Sequence, residues 1–300
     1  MPAHVLYAAL LMGAGAVPVV AAQSGGQAAS EVDVIAARTE AGQRMTVPVR
    51  LSEHGPYRFL IDTGSMTTVL SRTVAANLAI ATDPKKALLV GVAGSQMVDT
   101  VRINQLDLGR RSFYNLLAPL LEPEHIGADG ILGLDSLQGQ RVLLDFKRKL
   151  IAVDDAKALG GNAGFEIVVV ARRRSGQLIM THARLDGIDV DVVIDTGADT
   201  SIGNMALART LARKRDVATT LTSVTGQTVD ARIGYARELA IDKIKFQNVA
   251  IAYAESPAFA ALKLDKKPAL LLGIRDLRAL NRVAIDFSSR RILFDVPFEM

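Results

Sequence analysis

Hydrophobic and polar positions alternate along most of the chain in runs of five to nine residues, which is the period of half-buried strands. Met45-Thr46-Val47-Pro48-Val49 and Val101 to Leu108 follow this pattern. Other runs are apolar throughout and stop at a turn residue, as fully buried strands do. Tyr57 to Ile61 ends at Asp62-Thr63-Gly64, and Val192-Val193-Ile194 ends at Asp195-Thr196-Gly197. Helical signals are short: Ser71 is placed to cap a helix over Val74 to Leu78, and another short helix is expected soon after Gly133. The pattern predicts an all-β protein with few short helices.

The elements come in two similar series. After the first triplet, apolar flanks around Gly91-Val92-Ala93-Gly94-Ser95 predict a β-hairpin with a mobile tip, and Val142 to Phe146 with Lys149 to Val153 predicts another. An irregular stretch carrying Pro119, Pro123 and His125 precedes the apolar run Ile131-Leu132-Gly133. The second half repeats the frame. Ser223-Val224-Thr225-Gly226-Gln227 matches the first hairpin tip, Leu271-Leu272-Gly273 matches Ile131-Leu132-Gly133, and Val283 to Phe287 matches Val142 to Phe146. Asp62 and Asp195 lie 133 positions apart, and Gly133 and Gly273 lie 140 apart. Four anchors in one order with little drift imply a duplication. The expected division is a leader over 1–22, a first lobe over 30–155 and a second over 165–297, joined by a linker containing Gly160, Gly161 and Gly164.

Composition narrows this picture. In 300 residues with no Trp and 5% aromatics, the cores must be aliphatic. Cysteine is absent, which excludes disulfides and thiol chemistry. Residues Val5 to Val20 are apolar and small, and Val20-Ala21-Ala22 is a small-x-small site, the pattern of a secretory signal peptide. An uncleaved anchor is the alternative, and would be the only route to a membrane; the expected location is periplasmic or secreted. The net charge of +4 is mild, and Arg172-Arg173-Arg174 and Arg213-Lys214-Arg215 read as solvated surface. No aromatic interleaving or motif points to nucleic acid. His125 and His182 lack metal-ligand spacing, so neither a metal nor a cofactor is expected.

The chemistry rests on the two triplets. A carboxylate at the end of a buried strand is costly unless it is bonded or has a task. Two brought close together cannot both ionise readily, so one keeps a proton while the other stays charged. Such a pair can draw a proton from water and donate one to a carbonyl oxygen. Gly64 and Gly197 would let backbone N–H groups approach the carboxylates, and Thr63 and Thr196 could bond across the two lobes. Gly133 and Gly273 would let the strand beneath each loop bend. Asp145 and Asp286 are expected as turn or surface carboxylates, Asp135 and Asp276 as helix caps, and Asp191 and Asp199 as salt-bridged surface, with a place at the border of the cleft as the alternative.

Asp62-Thr63-Gly64-Ser65, Asp195-Thr196-Gly197-Ala198-Asp199 and the two apolar-Gly elements resemble aspartic peptidases of the pepsin and retropepsin clan. The second triplet is similar to the retroviral form. The absence of a Tyr between Gly91 and Asp99 and the short lobes suit a fused, bacterial retropepsin-like pair better than pepsin. The resemblance implies two homologous closed β-barrel lobes, an active-site cleft between them, one catalytic Asp from each lobe, and a flap at Gly94 and Ser95, at Gly226 and Gln227, or at both. It implies an extended peptide or protein substrate and lobes paired within one monomer. A catalytically silent peptide-binding or envelope assembly module, and lobes paired between chains, are the alternatives. Ser65 could bond the outer oxygen of Asp62 where Ala198 cannot serve Asp195, which would make the dyad unequal.

Overall fold

The computed structural model describes residues 34–36, 38–39, 44–211 and 216–297. The expected leader and the cluster Arg213-Lys214-Arg215 lie outside the described residues. The chain is mostly β and forms two sheet bodies of similar size. In the first, strands run in the order Arg38–Thr39, Met45–Leu51, His54–Ile61, Gly130–Leu132, Val69–Ser71, Arg111–Leu121, Ser95–Leu108 and Thr82–Val90. Met45–Leu51 also bonds Ser95–Leu108, so the sheet curls back on itself. The second body repeats this order from Arg172–Arg174 to Val217–Thr222, and Gln177–Leu185 pairs with Thr228–Ile241 in the same way. Closure of this kind leaves few unpaired edges.

Each triplet is positioned by the same local device. His54–Ile61 pairs in parallel with Gly130–Leu132, and Ile188–Asp195 in parallel with Ala269–Gly273. On their other edge these short strands pair antiparallel with Val69–Ser71 and Ser201–Gly203. The triplet loop therefore leaves one side of the apolar-Gly strand and returns on the other. Gly133 is required there, because a Cβ would overlap the backbone of Thr67; at Gly273 it would lie 2.8 Å from the Thr200 carbonyl carbon.

The lobes join through a third sheet of six strands: Val34–Ala36, Leu150–Asp154, Arg141–Asp145, Arg282–Asp286, Arg291–Asp295 and Ile167–Val170. The first three belong to one half and the last three to the other. Its central seam pairs Arg141 with Asp286 and Asp145 with Arg282. A continuous apolar core containing Val142, Leu144, Val283, Ile285 and Phe294 runs through this sheet into both lobes.

Ser71 does cap a helix, at Arg72–Asn77, through the Val74 N–H. Pro119 lies inside the strand Arg111–Leu121 rather than in an irregular stretch, and Pro123 starts a helix, Pro123–Ile126, that includes His125. Val101 to Leu108 is part of one 14-residue strand that begins at Ser95. Asp145 and Asp286 are buried, not on the surface: each takes an N–H from its own turn, and Asp286 also pairs with buried Arg141 at 2.9 Å. The glycine-rich linker is held too, since Arg141 donates to the Gly161 carbonyl and to Asn162.

Candidate active site

The two triplet loops meet at the lobe interface and bring Asp62 and Asp195 within hydrogen-bonding reach of each other. Both are 2% exposed. The N–H groups of Gly64 and Ser65 donate to Asp62 Oδ1 at 2.8 and 3.0 Å, and those of Gly197 and Ala198 to Asp195 Oδ1 at 3.1 and 3.2 Å. The glycines have a second reason to be there. A Cβ on Gly64 would stand 2.5 Å from Asp195 Oδ1, and one on Gly197 would overlap the Asp62 carboxylate. Each loop thus gives its N–H groups to its own Asp and its empty side-chain position to the other.

The threonines fix that approach reciprocally. Thr63 Oγ1 donates to the Ile194 carbonyl at 2.9 Å and Thr196 Oγ1 to the Ile61 carbonyl at 2.7 Å. The N–H of Thr63 donates to Thr196 Oγ1 at 3.0 Å, and the N–H of Thr196 to Thr63 Oγ1 at 3.3 Å. Behind the loops, Thr68 and Ser201 repeat another device. The Gly133 N–H donates to Thr68 Oγ1 and the Gly273 N–H to Ser201 Oγ. Those hydroxyls in turn bond Asp135 and Asp276. These two carboxylates therefore do not cap their helices, Leu134–Leu137 and Ile274–Leu277. They lie inside the first turn and hold the triplet loops.

Burial dominates the electrostatics. It pushes Asp62 well above the ordinary carboxylate range, and the nearby Asp195 charge adds to it. Burial pushes Asp195 up to about 6; the N–H bonds from Gly197 and Ala198, the bond to Asp62 and the Arg44 charge restrain it. Carboxyls so raised and so close resist ionising together.

The Ser65 hydroxyl does not reach the dyad. It donates to the Thr67 carbonyl at 2.9 Å, because the tight loop presents its N–H to the Asp and turns its side chain away. Asp199 is not surface either: it is buried, with Arg44 Nε 3.9 Å away across the interface. Asp191 is partly buried, and its N–H donates to the Pro268 carbonyl.

The two hairpin tips touch each other. A Cβ on Gly94 would lie 2.6 Å from Gln227 Oε1, and one on Gly91 would lie 3.1 Å from the Ser223 Cβ. Neither tip projects freely, as mobile tips would. Val90 and Val92 pack into an apolar cluster of the second lobe with Ile202, Phe259 and Leu271. Val224 packs into one of the first lobe with Leu60, Leu89 and Ile126. Gly226 rests against the His125 imidazole. Ser95 begins the return strand of the first hairpin. The sequence missed this crossed docking, the Arg44–Asp199 pair and the contact of His125, for all three join residues from different halves. Only the position of His125 ahead of the apolar-Gly element hinted at it. Among the described residues no group of His, Asp and Glu is arranged to hold a metal ion.

The chain belongs to the aspartyl protease family. The family's model, described as aspartyl protease, matches residues 47–136 and 181–275, more than half of the sequence. Each matched segment contains one triplet, one hairpin tip and one apolar-Gly element. Among solved structures the chain is similar to a retropepsin-like aspartic protease from Rickettsia conorii, at 21% identity over 43% of this chain and 88% of that one, with a TM-score of 0.33. No curated protein matches it.

Proposed function

We propose that the protein is an exported aspartic endopeptidase acting in the periplasm or outside the cell, with both lobes of its site supplied by one chain. The observation that carries the reading is the facing pair Asp62 and Asp195. Each is held by two N–H groups and locked by reciprocal threonine bonds. A water between them loses a proton to the charged Asp as its oxygen bonds the scissile carbonyl carbon. The protonated Asp gives its proton to the carbonyl oxygen, forming a tetrahedral diol. On collapse the first Asp passes its proton to the leaving amine and the second regains one from a hydroxyl. Water is consumed, both carboxyls are restored, and no cofactor or covalent intermediate takes part.

In this reading the two touching tips are the flaps of the site, and a peptide enters when they part. It would then lie extended between strand edges and the returning tips, held partly by main-chain bonds. The reading is tested by incubating the purified protein with an unbiased peptide library, with and without a statine inhibitor, which mimics the diol. Inhibitor-sensitive cleavage is the expected result. Binding of peptides with no cleavage at any pH from 3 to 8 would overturn it.

A further inference from the structure

The six-stranded sheet ends on one side at Ile167–Val170, which pairs with Arg291–Asp295 alone among the described residues. The ladder shows which of its backbone groups are open. The Ala171 N–H donates to the Arg290 carbonyl at 2.9 Å, and those two residues continue the register of Val170 with Arg291. Bonded and non-bonded pairs alternate along an antiparallel ladder, so Ile167 and Val169 are the residues bonded to the neighbouring strand. Val168 and Val170 then direct their N–H and carbonyl groups away from the sheet. Their side chains share one face and are 37% and 69% exposed. An apolar, unpaired edge of this kind is a template for a further strand.

The charge at the end of this edge is one-sided. Arg172, Arg173 and Arg174 follow at once and are exposed. Arg290 and Arg291 are exposed beside them, with Arg291 directly opposite Val170. None of these arginines forms an ion pair among the described residues; Arg173 donates to Gln138 and Arg174 to the Lys263 carbonyl, both neutral acceptors. Asp286, on the other side of Arg291, is buried and bonded to Arg141. Glu166, at the far end of the edge, accepts the Val296 N–H. The opposite end of the sheet, Val34–Ala36, leads through Ala37 into Arg38, Thr39 and Glu40, so the unbroken basic run belongs to one edge only.

We propose that the open edge Ile167–Val170, with the arginines at its end, docks an extended acidic segment of another protein, which adds to the sheet as a further strand. The backbone groups of Val168 and Val170 supply the pairing, and the arginines select the charge. In antiparallel addition the apolar residues of the segment lie beside Val168 and Val170, and its acidic N-terminal end lies beside Arg172 to Arg174. The same charge opposes a second copy of this chain, because pairing two such short edges would set the arginines of one copy near those of the other. The surface uses neither triplet loop, so the inference does not rest on the peptidase reading.

The test uses the Asp195→Asn variant, so that a peptide probe stays whole. A labelled probe of three glutamates followed by Val-Thr-Val-Thr should bind, with an affinity that falls as salt is raised. Probes with glutamine or lysine in place of the glutamates should bind more weakly by about tenfold or more. Arg172→Glu, Arg173→Glu and Arg174→Glu together should weaken the acidic probe by a similar factor and let the lysine probe bind. With the acidic probe bound, hydrogen exchange should slow at the Val168 and Val170 amides and stay unchanged at Ile167 and Val169. Val170→Pro removes one outward N–H without breaking a bond to the neighbouring strand, a change that an edge tolerates, and should also weaken the probe. If that variant does not fold, the exchange pattern decides alone. No binding, equal binding of the glutamate and lysine probes, or binding that leaves both amides unprotected overturns the proposal. So does a different occupant: adsorption to phosphatidylglycerol vesicles that needs the same arginines while the peptide fails to bind, or a concentration-dependent dimer that Val170→Pro abolishes.

Discussion

The two halves agree where backbone geometry is at stake and differ where side chains only support it. Both keep the N–H pair, the reciprocal threonine and the hydroxyl that receives the Gly133 or Gly273 N–H. Around this frame the pairs have diverged. At the seam, Arg141 reaches across to buried Asp286, whereas its counterpart Arg282 turns to Asp295 and the Gly164 carbonyl. Asp145, left without that partner, pairs with exposed Arg148. The first tip docks through Val90 and Val92, the second through Val224 alone, with Gly226 against the His125 ring. A duplicated site can lose symmetry in its supports as long as the atoms that touch the carboxyls keep theirs.

The sharpest test of equivalence is at the dyad. Asp62→Asn and Asp195→Asn should each lower peptide hydrolysis by about 10³-fold or more, and by similar factors, because the pair acts as a unit. A variant retaining most of the activity would show that one carboxyl suffices. Stability should move the other way. Folding raises both pKa values, so the folded chain holds these protons to higher pH than the unfolded chain does. Their favourable contribution is full below about pH 4; that of Asp195 is lost as pH rises through about 6, and that of Asp62 is likewise lost as pH rises through its own raised value. Each Asn variant should match the wild type near pH 4 and exceed it at pH 7 by on the order of 1 kcal/mol, as read by urea unfolding.

The seam offers a second contrast. Asp286→Asn leaves Arg141 buried without its counter-charge and should cost about 3–5 kcal/mol. Asp145→Asn weakens a pair whose Arg148 is 71% exposed and should cost about 1 kcal/mol. Equal losses in urea unfolding would mean that the turn N–H bonds, which both carboxylates accept, matter more than the ion pair.

These contrasts also mark what the sequence could carry. The triplets, the repeated order, the helix at Ser71 and the placement of Gly133 and Gly273 are local: an apolar run, a stop and a spacing announce them, although the close approach to Thr67 and Thr200 that requires the glycines was not foreseen. Thr63 and Thr196 were legible because the repeat doubled them. Ser65 misled, since its identity says nothing about which way a tight loop turns its hydroxyl. Asp145 and Asp286 are turn carboxylates as expected, but their burial was not legible, since the six-stranded sheet that joins the halves buries them. Asp199 misled because the Arg44 that approaches it comes from the opposite half. Crossed tips are less legible still, because Val92 and Val224 pack in clusters built from the other lobe.

The threonine bonds should show the symmetry that the seam lacks. Thr63→Val leaves the Ile194 carbonyl without its donor and the Thr196 N–H without its acceptor, and Thr196→Val does the same to Ile61 and Thr63. Each should cost about 1–3 kcal/mol, and the two losses should be nearly equal. The hydroxyls lie 3.4 Å apart, so the double variant should cost less than both losses together. Unequal single losses would place the stronger lock in one lobe.

The smallest effects separate the tips. Gly94 has an ordinary backbone, and its Cβ would meet only the end of the flexible Gln227 side chain, so Gly94→Ala should change stability by less than about 0.5 kcal/mol. Gly226 has φ +77°, and its Cβ would overlap the His125 ring. Gly226→Ala should therefore cost about 1 kcal/mol and raise hydrogen exchange at residues 223–227 while leaving 91–94 protected. Adding His125→Ala separates the two causes. If collision with the ring dominates, protection of the second tip returns; if backbone strain dominates, it does not. Loss of protection at both tips in Gly226→Ala would show that they open as one, and that their different docking sites do not make them independent.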